Sequence, residues 1–560
     1  MVSWSCGGLN ERGKMLKDSA AFVFAKIKRL LSRSEKLKRK LESNYGKKPD
    51  FHYFDGDLRG IRTYFDYRNE NSLDKFLVDD TTWNDLSGDD VFMRINQGIS
   101  TSGEQYLYYL LRSPAIERDE YEKRQSLINV IEENPDLRLK LQMIFSNLGR
   151  RRAVNNCEAF KPSYHNPFRL IIYILLVSAL IGSAISFAFT MTLLPVFVVL
   201  IISIPVYHEL VKNRIAKDLE TVHYSVSMVF AAKRIMKLSF PALNKYLTTF
   251  YEATERLRPI SRVGYVPSGH LFGDMAELLN SLLLLDLITY EFLKNRLGKY
   301  HADIFHVHEY IGRLDCAIAI SSYRKTLPTY TVPQLDFDSS AVYFHGIDLV
   351  HPLIDSAVPN NFETNESVLL TGSNASGKSI FLKTVALNAI FAQGICTVLG
   401  SWYSASAFLI YTSMAITDNL LAGESYFISE IKSLKRITNV DTSERPLLCI
   451  IDEILRGTNT VERISASSEL LRYLSHGKSL CLAATHDVEL CALLSGFYRL
   501  LHFEETVTED GDVVFDYKIK EGPATTRNAL KLLRSMGFDK DLVSRANDKA
   551  NRYVKDGIWG

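Results

Sequence analysis

One short stretch of the chain has residue types and spacing suited to holding phosphate, TGSNASGKSIF at 371–381. Gly372 and Gly377 allow the backbone to curl so that successive N–H groups face one anion, and Lys378 can reach the β- and γ-phosphates of a nucleotide. Ser379 supplies a hydroxyl for Mg²⁺. The run before the loop is typical of a strand and the run after it has helical spacing, so a helix N-terminus adds to the anion site. The predicted binding loop comprises Gly372, Ser373, Asn374, Ala375, Ser376, Gly377, Lys378 and Ser379.

Two further apolar runs, each typical of a strand, end in side chains that would complete a phosphoryl-transfer site. LLCIIDE ends in two carboxylates, of which Asp452 can hold Mg²⁺ and Glu453 can polarise an attacking water. SLCLAATH ends at His486, which could sense the γ-phosphate, although an isolated histidine is more often an ordinary surface or core residue. The patterns predict hydrolysis of ATP with Mg²⁺. The predicted roles are catalytic for Glu453, His486 and Lys378, and metal-binding for Ser379 and Asp452.

These motifs together are typical of an ABC-type ATPase, in which each nucleotide site forms between two copies of the domain. Such a site needs a segment from the partner, and AGESYFISEIKSL at 422–434 is the candidate. Ser425 would open a helix whose N-terminus faces the partner's γ-phosphate. The same segment could equally be an ordinary capped helix. We therefore expect a homodimer with Ser425 acting in trans.

The elements that must position these residues change character along the chain. Most of 1–165 and 208–325 has helical periodicity, whereas short apolar runs alternate with helical segments after about residue 335, as in an α/β layer with parallel strands. Asp510-Gly511 predicts the turn of a β-hairpin. The fold class is thus multidomain α plus α/β. The predicted units are a basic helical segment at 1–74, a first helical-core part at 75–165, an apolar hairpin at 166–208, lever and core helices at 209–334, the P-loop ATPase domain at 335–522 and a C-terminal helical segment at 523–560.

A stretch of 37 residues, 170–206, contains no Asp, Glu, Lys, Arg or His. Since one spanning helix needs roughly 20 apolar residues, this predicts two membrane spans, near 168–187 and 192–207, joined by a tight turn at AFTMT. Basic residues flank the stretch on both sides and the turn is uncharged, so both termini and the ATPase domain should face the cytoplasm, as in a two-pass protein of the cytoplasmic (inner) membrane. The alternative is a buried helical hairpin in a soluble protein.

Composition adds little about the partner. The formal net charge of +2 favours neither nucleic acid nor an acidic partner. Residues 1–50 are basic, with the run KLKRK at 36–40, which could contact anionic lipid or nucleic acid or could be a solvated helix face. Seven scattered cysteines without a CxxC pair favour reduced thiols in a cytosolic compartment.

The motifs closely resemble those of one family, the MutS DNA mismatch-repair ATPases. TGSNASGKSIFLK is similar to that family's phosphate loop, GESYFISEI to its signature segment, DEILRGTNT and ATHDVEL to its two later motifs, and HPLI to the entry of its ATPase domain. VFMRINQGISTSGEQYLYYLLRSPA is similar to the start of its helical core. The resemblance covers roughly 75–145 and 340–550. It implies that Asn374 contacts the γ-phosphate, that Ser425 acts in trans, and that the protein is a DNA-binding homodimer.

Some features depart from the family's pattern. Mismatch readers carry an N-terminal domain with a Phe-x-Glu wedge, and the first 90 residues are too few for it; Phe250-Tyr251-Glu252 matches the wedge only by coincidence. Leu455 replaces a glycine and Ala375 a methionine. We therefore expect a membrane-anchored MutS-like ATPase that binds DNA by backbone or shape rather than by mismatch. Two alternatives remain: a nucleotide-switched membrane scaffold that does not act on DNA, and, less favoured, an ABC transporter-like ATPase, although LAGES lacks the transporter signature's Gly-Gly-Gln.

Overall fold

The computed structural model combines a helical half with an α/β half. It describes residues 32, 34–51, 53, 54, 56–151, 167–238, 240–244, 248–261, 273–338, 341–372, 376–414, 426–507, 513–524, 530, 533 and 537–556. The multidomain α plus α/β class expected from the sequence is confirmed.

Residues 34–44 are helical, and six helices follow in the described part of the chain up to residue 151: α1 Asp57–Glu70, α2 Asp80–Asp85, α3 Gly88–Ile95, α4 Thr101–Arg112, α5 Arg118–Glu133 and α6 Pro135–Leu148. Helix α4 is the centre of this part, because all of its residues are buried. Ser100 caps it by accepting a hydrogen bond from the Gly103 N–H, which satisfies one of the N–H groups that every helix start leaves unpaired.

Eight helices follow: α7 Pro167–Thr190, α8 Leu194–Met236, α9 Pro241–Asn244, α10 Thr248–Arg256, α11 Arg258–Ser261, α12 Gly273–Leu283, α13 Leu285–Lys299 and α14 His301–Thr326. Helix α14 packs along α4 so closely that a Cβ on Gly103 would lie 2.1 Å from Asp315 Oδ2. The Asp315 carboxylate accepts hydrogen bonds from Ser100 N–H at 2.7 Å and from the Ser100 hydroxyl at 2.6 Å. A glycine and a buried carboxylate thus hold the start of α4 against α14.

Two helices, Phe168–Thr190 and Leu194–Met236, are long and apolar enough to cross a membrane, judged by length and composition among the described residues. Only 17% and 11% of their most apolar windows are buried inside the protein, which does not favour the soluble-hairpin alternative. The turn lies at 191–193, close to the expected AFTMT. The second span was expected to end at residue 207, but α8 continues through Pro205 to Met236, because the helical residues on both sides propagate across one lost hydrogen bond.

The α/β half contains two sheets. Its strands are β1 Gln334–Asp336, β2 Phe344–Leu349, β3 Asn360–Thr364, β4 Val368–Thr371, β5 Trp402–Ser406, β6 Leu409–Ser413, β7 Leu447–Asp452, β8 Ser479–Ala484, β9 Arg499–Val507 and β10 Val513–Glu521. The larger sheet has the order β10-β9-β4-β8-β7-β6. Its strands β9, β4, β8, β7 and β6 are parallel, as the alternation of strand and helix predicts, and β10 pairs antiparallel with β9 at one edge. The hairpin is confirmed, while Asp510 and Gly511 lie outside the described residues.

Five helices accompany these strands: α15 Lys378–Gly394, α16 Tyr426–Thr438, α17 Thr460–Leu474, α18 Val488–Leu494 and α19 Lys540–Asp556. The end of α15 joins the two halves. The Gln393 amide donates to the carbonyls of Ala115 and Phe408, each at 3.0 Å, so one side chain bridges the helical core and the sheet. Buried residues of both halves belong to one hydrophobic cluster, so the phosphate-loop helix and the helical half share one packed interior.

Candidate nucleotide-binding site

The phosphate loop joins β4 to α15, the strand–loop–helix arrangement that the sequence predicts. Gly372 has φ +134° and Gly377 has φ +103°, which side chains rarely adopt. A Cβ on Gly372 would lie 2.6 Å from the carbonyl oxygen of Phe503, so this position has no room for another residue. Ser376 is buried and Ser379 is half-buried in the first turn of α15. Ser373, Asn374 and Ala375 lie outside the described residues, and their roles stay predictions.

Lys378 is buried at the mouth of this loop. Its Nζ donates to the carbonyl oxygen of Gly372 at 2.6 Å, so the side chain folds back over the loop it follows. Burial lowers the pKa of Lys378 to about 8, while the charges of Asp452 and Glu505 oppose that shift. Burial destabilises the charged form of Lys378, and a nearby anion stabilises it again. The position of Lys378 therefore suits the binding of a phosphate.

The two predicted carboxylates stand at the C-terminal end of β7. Asp452 Oδ1 is buried and has no hydrogen-bond partner among the described residues. A buried carboxylate oxygen without a donor is costly unless a cation binds it, which fits a Mg²⁺ ligand. No group of three or more His, Cys, Asp or Glu side chains that could hold a metal occurs among the described residues. Mg²⁺ usually takes one or two protein ligands, with waters and phosphate oxygens as the rest.

Glu453 and His486 meet across adjacent strands. Glu453 follows β7 with φ +57°, and its N–H donates to the Ala484 carbonyl at 3.0 Å, which fixes the turn against β8. His486 follows β8, and its Nε2 lies 2.9 Å from Glu453 Oε1 and 3.4 Å from Lys378 Nζ. Burial lowers the pKa of His486, helped by the positive charges of Lys378 and Arg456. A neutral imidazole therefore donates to Glu453, and the three predicted catalytic residues lie together.

Two residues of this site were not recognised from the sequence. Arg456 forms an ion pair with the second carboxylate oxygen of Glu453. Glu430 of α16 accepts a hydrogen bond from the Leu455 N–H, which connects the predicted signature helix to the turn that carries Glu453. Burial raises the pKa of Glu430. Arg456 lies in the motif DEILRGTNT and Glu430 in GESYFISEI, so the two motifs could have indicated these residues. Ser425, the residue expected to act in trans, lies outside the described residues.

A cavity of about 300 Å³ opens beside Gly377 and was also missed. Its walls are mostly apolar, with Phe381 of α15, Phe503 of β9 and Tyr517 of β10 among them. Burial lowers the pKa of His351 in the same wall to about 4, so this imidazole is neutral at pH 7. The volume is at the lower end of the range for small-molecule sites, and flat apolar walls suit a purine base. The sequence signal was the HPLI segment, which contains His351.

The comparisons with known proteins agree with this geometry. Residues 368–553 match the family model MutS domain V. DNA mismatch repair proteins MutS are similar to the chain over about half of its length. Residues 368–553 are therefore similar to MutS domain V. The protein from Fusobacterium nucleatum is 28% identical over 282 residues, which are 47% of this chain and 30% of that protein. The protein from Streptococcus pneumoniae serotype 19F is 28% identical over 312 residues, 53% and 36% of the two chains, and that from Fervidobacterium nodosum is 27% identical over 278 residues, 49% and 33%.

MutS domain V, as matched here, contains every described residue of the predicted site. The match begins at the first residue of β4, Val368, and includes Lys378, Asp452, Glu453 and His486. The apolar helices α7 and the first part of α8 lie outside it. The aligned part spans about a third of the length of these MutS relatives.

Proposed function

We propose that this chain is a MutS-family protein that binds and hydrolyses ATP with Mg²⁺ in a homodimer. The observation that carries the proposal is the meeting of Lys378, Glu453 and His486 at the mouth of the phosphate loop, with contacts of 2.9 and 3.4 Å. Near them lie Asp452 Oδ1, which has no hydrogen-bond partner among the described residues, and a cavity that suits the base. The loop, the two carboxylates and the histidine come from three neighbouring parallel strands, an arrangement that chance would not produce.

Each side chain has a separate task in this proposal. Lys378 holds the β- and γ-phosphates, and Glu453 orients a water and accepts its proton. His486 and Arg456 hold the Glu453 carboxylate from two sides, so that it points to one place. Ser379 and Asp452 would hold Mg²⁺, which neutralises charge on the phosphate oxygens.

The proposal includes a dimeric site. Helix α16 begins at Tyr426, directly after Ser425, and its buried Glu430 contacts the turn that follows Glu453. In the proposed dimer, Ser425 and the N-terminus of α16 face the partner's γ-phosphate. The contact between Glu430 and Leu455 then links the partner's nucleotide to the chain's own catalytic turn.

We also propose that the chain is anchored in the cytoplasmic membrane by 168–207, with the ATPase domain in the cytoplasm, and that it binds DNA through shape or backbone. MutS relatives are named for DNA mismatch repair, which supports DNA as the partner. Phe250, the phenylalanine of the sequence Phe250-Tyr251-Glu252, is 1% exposed and stacks on Tyr310 at 4.6 Å. This Phe250 is part of the core and does not serve as a wedge for a mispaired base.

The test is ATP hydrolysis by the full chain in detergent, measured without DNA and with homoduplex, mismatched or branched DNA over a salt series. Equal stimulation by homoduplex and mismatched DNA, lost steeply as salt rises, supports the proposal because phosphate contacts release counterions. A strong preference for the mismatch would contradict shape- or backbone-dependent binding. Hydrolysis that no DNA changes would favour the membrane scaffold, and absence of hydrolysis under every condition would overturn the ATPase itself.

A further inference from the structure

A second apolar element packs beside the proposed membrane hairpin. The end of α12, Leu284 and the start of α13 form the sequence LLNSLLLLDLI at 278–288, which we name the apolar wedge. Leu284 has φ +49° and turns the chain between the two helices. Leu284 and Leu287 are fully buried in one cluster with Tyr173 and Leu180 of α7 and Ile204 of α8. The wedge therefore packs against the apolar parts of both hairpin helices.

The opposite face of the wedge is apolar and exposed. Leu278 and Leu279 are each 50% exposed and Leu285 is 40% exposed. Leucines at adjacent positions on one surface are unfavourable in water, and contiguous apolar surface marks an interaction site. This surface continues that of α7, where Ile174 and Leu175 are also exposed.

Each polar side chain of the wedge makes a hydrogen bond inside the protein. Both Asp286 oxygens contact His208 Nε2, at 2.8 and 2.9 Å, and both side chains are buried. Asn280 accepts from the Asp286 N–H at 3.2 Å, and the Ser281 hydroxyl donates to the Leu278 carbonyl at 2.8 Å. Lipid acyl chains offer no hydrogen-bond partners, so a segment that enters them has to form its hydrogen bonds within the protein, as these side chains do.

An ion pair between α7 and α13 indicates how the apolar wedge lies relative to the proposed bilayer. Arg169, at the start of α7, lies 3.9 Å from Glu291 of α13, which places Glu291 near the cytoplasmic face of the proposed bilayer. Leu284 is seven residues before Glu291, which is ~10 Å along α13 at 1.5 Å per residue, and it packs in one cluster with Tyr173 and Leu180 further along α7 than Arg169. On α8, His208 is four residues before Lys212, ~6 Å deeper by the same rise, which agrees with its pairing to Asp286.

We propose that residues 278–288 enter the cytoplasmic leaflet as a re-entrant element and that their exposed leucines contact lipid acyl chains. The inference rests on the proposed membrane anchor. The hairpin alone would hold the helical half by two helices, whereas the wedge adds a third contact with the bilayer on the side of α12 and α13. The buried pair of His208 and Asp286 joins the wedge to α8.

Nitroxide labels on the full chain in vesicles of phosphatidylcholine and phosphatidylglycerol test this proposal. Leu279→Cys labels the wedge, Ile202→Cys, 63% exposed, labels the proposed membrane centre, and Tyr473→Cys, 62% exposed, labels the ATPase domain. The described cysteines are buried, and Cys6→Ser and Cys157→Ser remove the others. Collisions of each label with dissolved oxygen, which concentrates in lipid, are compared with those of a water-soluble nickel chelate.

The expected oxygen-to-nickel ratio at Leu279→Cys is several-fold above that at Tyr473→Cys and approaches that at Ile202→Cys. A high ratio at Ile202→Cys with a low one at Leu279→Cys overturns the wedge and leaves the anchor standing. Low ratios at both positions overturn the anchor and the wedge together. Low accessibility to both reagents at Leu279→Cys, with dipolar broadening between labels, would assign this face to a second copy of the chain and also overturns the lipid contact.

Discussion

The carboxylate of Glu430 accepts a hydrogen bond from the backbone N–H of Leu455, across 25 residues of sequence. This contact ties α16 to the turn that carries Glu453. Glu430→Ala leaves a buried N–H without its partner, which costs about 1–3 kcal/mol of folding free energy. We expect kcat for ATP hydrolysis to fall by about tenfold, because Glu453 is less well positioned. Glu430→Gln keeps an acceptor oxygen and is the control. Equal loss in both variants would contradict a positioning role.

Glu453→Gln should separate nucleotide binding from hydrolysis. The amide fills the same space but does not accept a proton, so kcat is expected to fall by about 100-fold or more. Binding of a fluorescent ATP analogue should remain, since Lys378 and the loop are unchanged. Glu469→Gln, on the exposed face of α17, is the matched control. Full activity of Glu453→Gln would remove Glu453 from the mechanism.

Leu455 has φ +57° and is buried. The backbone conformation at this position favours glycine, whereas the packing around it favours a large apolar side chain. Substitution by either alanine or glycine removes the packing of the leucine side chain. Only glycine also removes the strain of a positive φ. We expect Leu455→Gly to be more stable than Leu455→Ala by about 1 kcal/mol, measured by denaturant unfolding. Leu387, buried in the middle of α15, should show the opposite order, because glycine costs about 1 kcal/mol relative to alanine inside a helix. The same order at both leucines would show that the backbone of Leu455 is not strained.

The cavity beside Gly377 predicts where the base of ATP binds. Ala357 lines it, and Ala357→Trp should fill much of the space. We expect the KM for ATP to rise by about tenfold or more with kcat little changed, because the lost contacts are the same in ground state and transition state. Ala341→Trp, at an exposed position outside the cavity, should leave KM unchanged. An unchanged KM in Ala357→Trp would place the base elsewhere.

The burial of the His308 imidazole predicts that the free energy of unfolding decreases in acid. Burial lowers its pKa from 6.5 to about 3, and its Nδ1 lies 3.0 Å from the Ser102 hydroxyl. The unfolded chain takes up this proton below pH 6.5 while the folded protein does not, so stability falls as the pH drops from 6.5 towards 3. This one group should lower the free energy of unfolding by about 2 kcal/mol between pH 7 and pH 5.

The contribution of His308 is measured as the difference between wild type and His308→Gln in unfolding experiments at the two pH values. The variant should lose less stability than wild type on acidification. His476→Gln, at an exposed position, serves as the control and should follow wild type. Identical acid losses in all three proteins would contradict a neutral His308.

The features that the sequence predicted are those set by neighbouring residues. Gly372 and Gly377 mark the loop because their backbone conformation requires glycine, and apolar runs mark β7 and β8 because those strands are buried on both faces. The meeting of Asp452, Glu453 and His486 then follows, since parallel strands bring their carboxyl ends to one edge.

Features that depend on distant pairings were missed. The base cavity combines side chains from β2, α15, β9 and β10, and no local pattern encodes that meeting. His208 and Asp286 are 78 residues apart, and each alone resembles an ordinary polar residue near an apolar run. The second span was expected near 192–207, yet the helix that contains it, α8, continues past Pro205 to Met236. Proline weakens a helix locally, and its neighbours decide whether the helix ends.

Helix α8 has a mechanical consequence. Its 43 residues form one rod of ~65 Å, whose first part is the proposed membrane span and whose last part packs on α6, α10 and α14. No loop separates the proposed membrane span from the part that packs on the helical half, and Pro205 is the one point at which the helix is locally weakened. In the proposed membrane-anchored dimer, a rotation of the two bodies on closure around nucleotide would tilt the anchoring helices, and the bilayer would resist that tilt. The free energy of dimer closure would then depend on membrane thickness, and therefore on lipid composition.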